Sequence, residues 1–237
     1  MALATWAVAG AVLPAYLVAG PIPVIQRAWL FVSDRQEALH LAVSFGHVLA
    51  STLFAFIVGG MLAFANHYLP VTRLMIQHRW YPFLNSFSGI AWAILALLWL
   101  GPGHVTVVFA ITAVLVPFVF INLREGLVAL DAELLEMADS FTRKSWRDFR
   151  LIVLPSLYPF IFAALRICFG VAWKATLIAE LFGGKRGLGF LLNVARQEFD
   201  GPTVFAVILV VVLVVFIADR WIFMPMQRRL SRHYANV

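Results

Sequence analysis

The sequence predicts an all-α membrane protein of about six transmembrane helices, forming a single domain over residues 1–237. Three observations carry this expectation. Hydrophobic residues make up 62% of the chain and charged residues 13%, too few to coat a soluble domain of this size. The apolar residues gather into six stretches, roughly 3–20, 44–66, 82–100, 104–123, 152–178 and 202–224. Most approach the ~20 helical residues that cross ~30 Å of hydrocarbon. The charge, by contrast, concentrates in one internal loop, residues 126–155, between the fourth and fifth stretches.

Taken in order, the first stretch sits where a signal peptide would. It lacks a basic leading region and an A-x-A-like cleavage site before a polar start, so it is read as a span. In the second, Ser51, Ala55, Gly59 and Ala63 recur every four residues, a small-residue stripe that lets a neighbouring helix approach closely. Only Gly101-Pro102-Gly103 separates the third and fourth, a tight turn between antiparallel helices. The fifth carries two cations, Arg166 and Lys174, with Gly170 midway between them. Residues 188–199, LGFLLNVARQEF, have helical spacing suited to an interfacial helix or a gate element. The last stretch, FAVILVVVLVVFIADRWIFM, is rich enough in valine to suit a strand in water. In lipid a lone open strand leaves its backbone unpaired, so a helix is expected.

Lys and Arg set the orientation. With both termini in the cytoplasm, the inner loops hold Arg73, Arg79, Arg124, Arg143, Lys144, Arg147, Arg150, Arg228, Arg229 and Arg232. The outer loops hold half as many: Arg27, Arg35, Lys185, Arg186 and Arg196. That bias favours cytoplasmic termini and places the charged loop inside. The net charge of +6 therefore reads as membrane orientation, and no nucleic-acid partner is expected.

Within the loop, Leu127, Leu130, Leu134, Ala138 and Phe141 share one helical stripe. The acids Asp131, Glu133, Glu136 and Asp139 come first, and Arg143, Lys144, Arg147 and Arg150 follow, an order that complements the helix dipole. Ser145-x-x-Asp148 resembles a capping box opening a second helix, and Pro155 suits the first turn of the span beyond. This is the pattern of a helix that docks a soluble partner. The alternative, a helix lying on lipid headgroups, is disfavoured because an anionic leaflet repels an acidic face.

The same residues carry a family resemblance. Glu136-Met137-Ala138, three residues, Thr142, nine residues and Ile152-Val153-Leu154-Pro155 resemble the EAA loop of binding-protein-dependent ABC importer permeases. The family pattern reads E-A-A, three residues, Gly, nine residues, I-x-L-P, so the spacing agrees while Met137 and Thr142 depart. Met keeps helix propensity, whereas Thr alters any turn that needs positive φ. The likeness continues through LRICFGVAWKATLIAELFGGKRGLGFLLNVARQEF at 165–199, which is similar to the nitrate, sulfonate and taurine branch. It covers residues from roughly 40 to 230.

The resemblance implies the transmembrane subunit of a type I ABC importer in the bacterial inner membrane. Loop 126–155 would then be a coupling-helix loop, with Glu133, Glu136, Met137, Ala138, Asp139, Phe141, Thr142, Leu154 and Pro155 facing the ATPase. It implies two ABC ATPase subunits, a second permease subunit (a homodimer being the simpler choice), an extracytoplasmic solute-binding protein and surrounding membrane lipid. ATP and Mg would sit on the partner ATPase. The chain itself has no G-x-x-x-x-G-K-[ST], and Gly183-Gly184-Lys185-Arg186 lacks the upstream Gly and the following Ser/Thr.

For the substrate path the candidates are Arg166, Gly170 and Lys174, one stripe that offers positive charge to a small anion. The competing readings are a brace at Arg166, about three turns from Pro155, and a pairing of Lys174 with Glu180. No catalytic constellation appears within the spans. The six histidines, residues 40, 47, 67, 78, 104 and 233, have no metal-ligand spacing, and the lone Cys168 reads as a small buried side chain. A secondary carrier or channel for small anions is the alternative, although it needs no acidic docking loop and no inverted repeat is evident.

Overall fold

A computed structural model describes residues 5–6, 19–130 and 153–227. Among the described residues the chain is built of helices and turns, without strands. Four helices are long and apolar enough to cross a membrane: Arg35–Tyr68, His104–Val128, Leu154–Gly183 and Gly201–Gln227. They correspond to the second, fourth, fifth and sixth apolar stretches of the sequence.

In chain order the elements are α1 (Pro21–Ser33), α2 (Arg35–Tyr68), α3 (Pro70–Met75), α4 (Tyr81–Ser86), α5 (Gly89–Leu100), α6 (His104–Val128), α7 (Leu154–Gly183), α8 (Leu188–Gln197) and α9 (Gly201–Ala218). A π-helical turn at Ile76–Trp80 joins α3 to α4, and another at Asp219–Phe223 carries α9 onward to Gln227. The helix at Pro21–Ser33 was not among the expected elements. Its Arg27 ties three elements together, donating from Nε to Thr203 Oγ1 at 2.8 Å and from Nη2 to Glu37 Oε1 at 2.9 Å.

α6 is the centre of the bundle and packs most extensively against α2 and α7. Val107, Ile111, Leu115 and Val119 form its buried stripe. The small-residue stripe of α2 is the matching surface: Ser51, Ala55 and Ala63 are fully buried, and Ser51 Oγ donates to the Val108 carbonyl at 3.2 Å. The neighbour that the stripe admits therefore belongs to the same chain. Cys168 and Trp173, both fully buried, add to this core from α7.

Two boundaries differ from expectation. α2 begins at Arg35, nine residues before the apolar stretch at 44. Its 34 residues reach ~51 Å at ~1.5 Å per residue, well beyond the hydrocarbon thickness. The third stretch, expected as one span over 82–100, is divided. Phe87 is extended, and Ser88 caps a new helix by accepting from Ala91 N–H at 3.2 Å, which leaves α5 only 12 residues. The Asn85-Ser86-Phe87-Ser88-Gly89 sequence explains the break, because serine at an N-cap satisfies the orphan donors of a new first turn. The expected turn at 101–103 is present, and Gly103 N–H donates to the Gly183 carbonyl at 2.8 Å, fastening it to the end of α7. The first stretch, 3–20, lies almost wholly outside the described residues.

Candidate functional site

The three residues expected to line a path share one groove. Arg166, Gly170 and Lys174 stand along α7 at intervals of four, and all three border a cavity of about 710 Å³ between α7 and the continuation of α9. Nothing approaches within 4 Å of the position a Cβ would take at Gly170, so the stripe is open at its middle. Phe162, Phe169 and Phe223 form an aromatic wall, with ring centroids 5.5 Å apart for Phe169–Phe223 and 5.9 Å for Phe162–Phe223.

The two cations differ in their surroundings. Arg166 grips Asp219 with two parallel bonds, Nε to Oδ1 at 2.7 Å and Nη2 to Oδ2 at 3.1 Å, and donates from Nη1 to Gln227 Oε1 at 2.6 Å. Planar fork-on-carboxylate geometry of this kind is stronger and more directional than a single ionic contact. The pair is not sealed away: the side chains remain 34% and 39% exposed. Lys174, by contrast, is exposed and makes no ion pair among the described residues. Asp219 opens the π-helical turn, a backbone irregularity that often marks functional positions. Sequence reasoning missed Asp219, although a single acid inside an otherwise apolar span was the signal that could have found it.

The pairing considered for Lys174 does not form, because Glu180 is engaged elsewhere. Fully buried on α7, it accepts from Ser44 Oγ and from Gly189 N–H, both at 2.8 Å and both at Oε2. Its Oε1 lies 2.7 Å from His47 Nδ1, and His47 Nε2 lies 2.8 Å from His104 Nδ1. The Leu188 N–H donates to Ser44 Oγ at 2.8 Å, completing a polar junction of α2, α6, α7 and the α7–α8 turn that is buried except at the exposed His104. Gly187 makes that junction possible. Its φ is +119°, and a Cβ there would lie 2.3 Å from the Glu180 carboxylate.

Because Ser44 Oγ and the Gly189 N–H both donate to one oxygen of this buried carboxylate, Glu180→Leu would leave them without their acceptor. Leaving buried polar groups unmatched costs about 1–3 kcal/mol each, and more where a charge is involved. We expect the variant to loosen the α7–α8 turn, read as faster tryptic cleavage after the exposed Lys185 and Arg186. Cleavage at the wild-type rate would contradict this role.

The charged loop has its described residues only at its roots. Glu133, Glu136, Met137, Ala138, Asp139, Phe141 and Thr142 lie outside the described residues, while Leu154 and Pro155 open α7, with Pro155 in its first turn. The two roots are pressed together. A Cβ at Gly126 would come within 2.7 Å of Phe160 Cγ and 2.8 Å of Leu157 Cδ2, so only glycine allows α6 to meet α7 this closely. Leu127, Val153 and Leu157 are buried beside it. The loop therefore leaves and rejoins the bundle at one tightly packed point.

Comparison with known proteins adds the lineage. Residues 51–229 match the sequence profile of the family described as binding-protein-dependent transport system inner membrane component. The riboflavin transport system permease protein RibX of Chloroflexus aurantiacus is 28% identical over 211 residues, covering 85% of this chain and 75% of that protein. The taurine transport system permease protein TauC of Escherichia coli is 24% identical over 201 residues, covering 84% and 71%. Among solved structures, a chain of the MetNI methionine ABC transporter in an inward-facing conformation has the same fold, with a TM-score of 0.66 at 16% identity, over 85% of this chain and 96% of that one.

Proposed function

The chain belongs to the family of binding-protein-dependent transport system inner membrane components, in the branch that includes nitrate, sulfonate and taurine permeases, and from that premise we propose that it forms half of the solute path of an ATP-driven importer. One observation carries the path reading: the two intramembrane cations of α7 open onto a single groove with Gly170 between them. Burying a cation at membrane depth is costly, and such residues are kept where they meet water, a counter-charge or a solute. The solute that this groove suits is a small anion bearing a planar or pyramidal oxyanion head, such as nitrate, a sulfonate or taurine. The names of its relatives range from taurine to riboflavin, so the choice of an anion rests on Arg166 and Lys174 rather than on kinship.

In this reading loop 126–155 is the coupling element. Its acidic leading half, through Glu133, Glu136 and Asp139, and its apolar stripe, through Ala138 and Phe141, would seat in a cleft of the ATPase. The rigid root at Gly126 and Pro155 would carry ATPase movement directly into α6 and α7, because the loop has no slack where it joins them. ATP and Mg belong to that partner, and an extracytoplasmic binding protein would deliver the solute. The topology is six spans with both termini in the cytoplasm, the first stretch and the broken third completing the four long helices.

Hydrolysis requires two ATPases to close on each other, and one chain offers a single docking loop. The complex is therefore expected to contain two permease chains, most simply two copies of this one, and two ATPases. Native mass measurement of the purified complex checks this, and a complex holding a single permease chain contradicts it.

A further inference from the structure

We propose that Asp219 is a resident counter-anion: in the solute-free permease its carboxylate occupies the anion-binding fork of Arg166, and a solute anion gains that fork only by displacing it. The proposal rests on the path reading above and adds a device to it.

Three features point this way. The fork is engaged as an oxyanion would engage it, with Nε and Nη2 on the two oxygens of one planar carboxylate. A sulfonate or nitrate presents the same pair of oxygens at similar spacing. The pair also stands in the groove, about one third exposed on each side, with room beside it in the 710 Å³ cavity for an arriving group. An ion pair whose only task was bracing would be better placed where the helices are closely packed. Finally, the two partners lie on different elements, Arg166 on regular α7 and Asp219 at the first residue of the π-helical turn. Gln227, the third contact of the guanidinium, lies on that same segment. A modest rotation of this segment would withdraw both from Arg166 together.

The arrangement answers a physical difficulty. An unpaired guanidinium at membrane depth is costly when no solute is bound, and a permanently open cationic stripe would pass small anions unselectively. Asp219 removes both problems. Lys174, about 12 Å farther along α7 at ~1.5 Å per residue, is left free to receive the anion first. Recapture of Arg166 by Asp219 would then favour release of the anion, since competition for the fork lowers apparent affinity by the fraction of time that the fork is occupied.

The test uses the assembled permease–ATPase complex in lipid nanodiscs, with methanesulfonate as the probe anion. Phenylglyoxal modification of Arg166 and carbodiimide labelling of Asp219 are followed by peptide mass. In the wild type, methanesulfonate is expected to accelerate labelling of Asp219, because displacement frees the carboxylate. In Asp219→Asn, methanesulfonate is expected to protect Arg166 at concentrations about 5-fold lower than in the wild type. Should the variant fail to assemble, the wild-type labelling decides alone. Asp219 labelling that stays constant while methanesulfonate protects Arg166 overturns the displacement and leaves the anion path intact. No protection of Arg166 in either protein overturns the anion path itself, and the proposal with it.

Discussion

Glu136→Arg combined with Ala138→Trp is expected to abolish recovery of the ATPase with the permease while leaving the permease in the membrane at wild-type levels. By its spacing, Ala138 is proposed to share an apolar stripe with Leu130, Leu134 and Phe141, and a partner cleft shaped to accept a methyl group there would have no volume for an indole. Glu136 belongs to the acidic leading half, and reversing its charge replaces an attraction to a basic cleft with repulsion. Neither residue lies in an apolar span, so insertion is governed by segments that the change does not touch. Co-purification through a tag on the permease checks the expectation. Normal ATPase recovery at wild-type membrane levels would show that the loop docks elsewhere or not at all.

Arg166→Gln is expected to reduce uptake of an anionic solute by at least about ten-fold, a loss equivalent to ~1.4 kcal/mol, with the complex still assembled. Glutamine keeps much of the length and the hydrogen-bonding ability but not the charge, and losing a two-pronged charge-assisted contact with the solute is expected to reach that threshold. The competing view makes Arg166 a brace between α7 and the last helix, and the bond to Asp219 gives it substance. Magnitude decides between them. A pair with both members about one third exposed contributes on the order of 1 kcal/mol or less to stability, too little to unmake a complex. Lys at this position should be intermediate, since it restores the charge without the fork. Loss of complex yield in step with uptake would favour the brace, and unchanged uptake with intact assembly would remove Arg166 from the path.

The contrast between what the sequence revealed and what it did not has a physical basis. Long apolar helices announce themselves through composition, and the helices at 35–68, 104–128, 154–183 and 201–227 all fall on expected stretches. The stripe of Arg166, Gly170 and Lys174 was equally readable, because residues four apart share a helix face whatever else surrounds them. The break at Phe87–Ser88 was obscured because the flanking residues are as apolar as those of a continuous span. Only the Asn-Ser-Phe-Ser-Gly run carried the signal.

The Glu180 junction was beyond local reasoning altogether. Ser44 and His47 stand 136 and 133 residues away from Glu180, so no spacing rule connects them. Nearness in sequence instead offered Glu180 to Lys174, one and two-thirds turns away on the same helix, and packing overruled it. Asp219 shows the same limit. Its charge was conspicuous in a valine-rich run, but its partner lies 53 residues earlier on another helix.

The source of energy for uptake separates an importer permease from a secondary carrier. Proteoliposomes holding the permease with its ATPase, supplied with the binding protein, should accumulate labelled solute (taurine, nitrate and methanesulfonate being the first to try) only while ATP is hydrolysed. Accumulation should persist when proton and sodium gradients are collapsed. Accumulation by the permease alone, driven by an ion gradient and indifferent to ATP, would contradict the account and make the chain a secondary carrier.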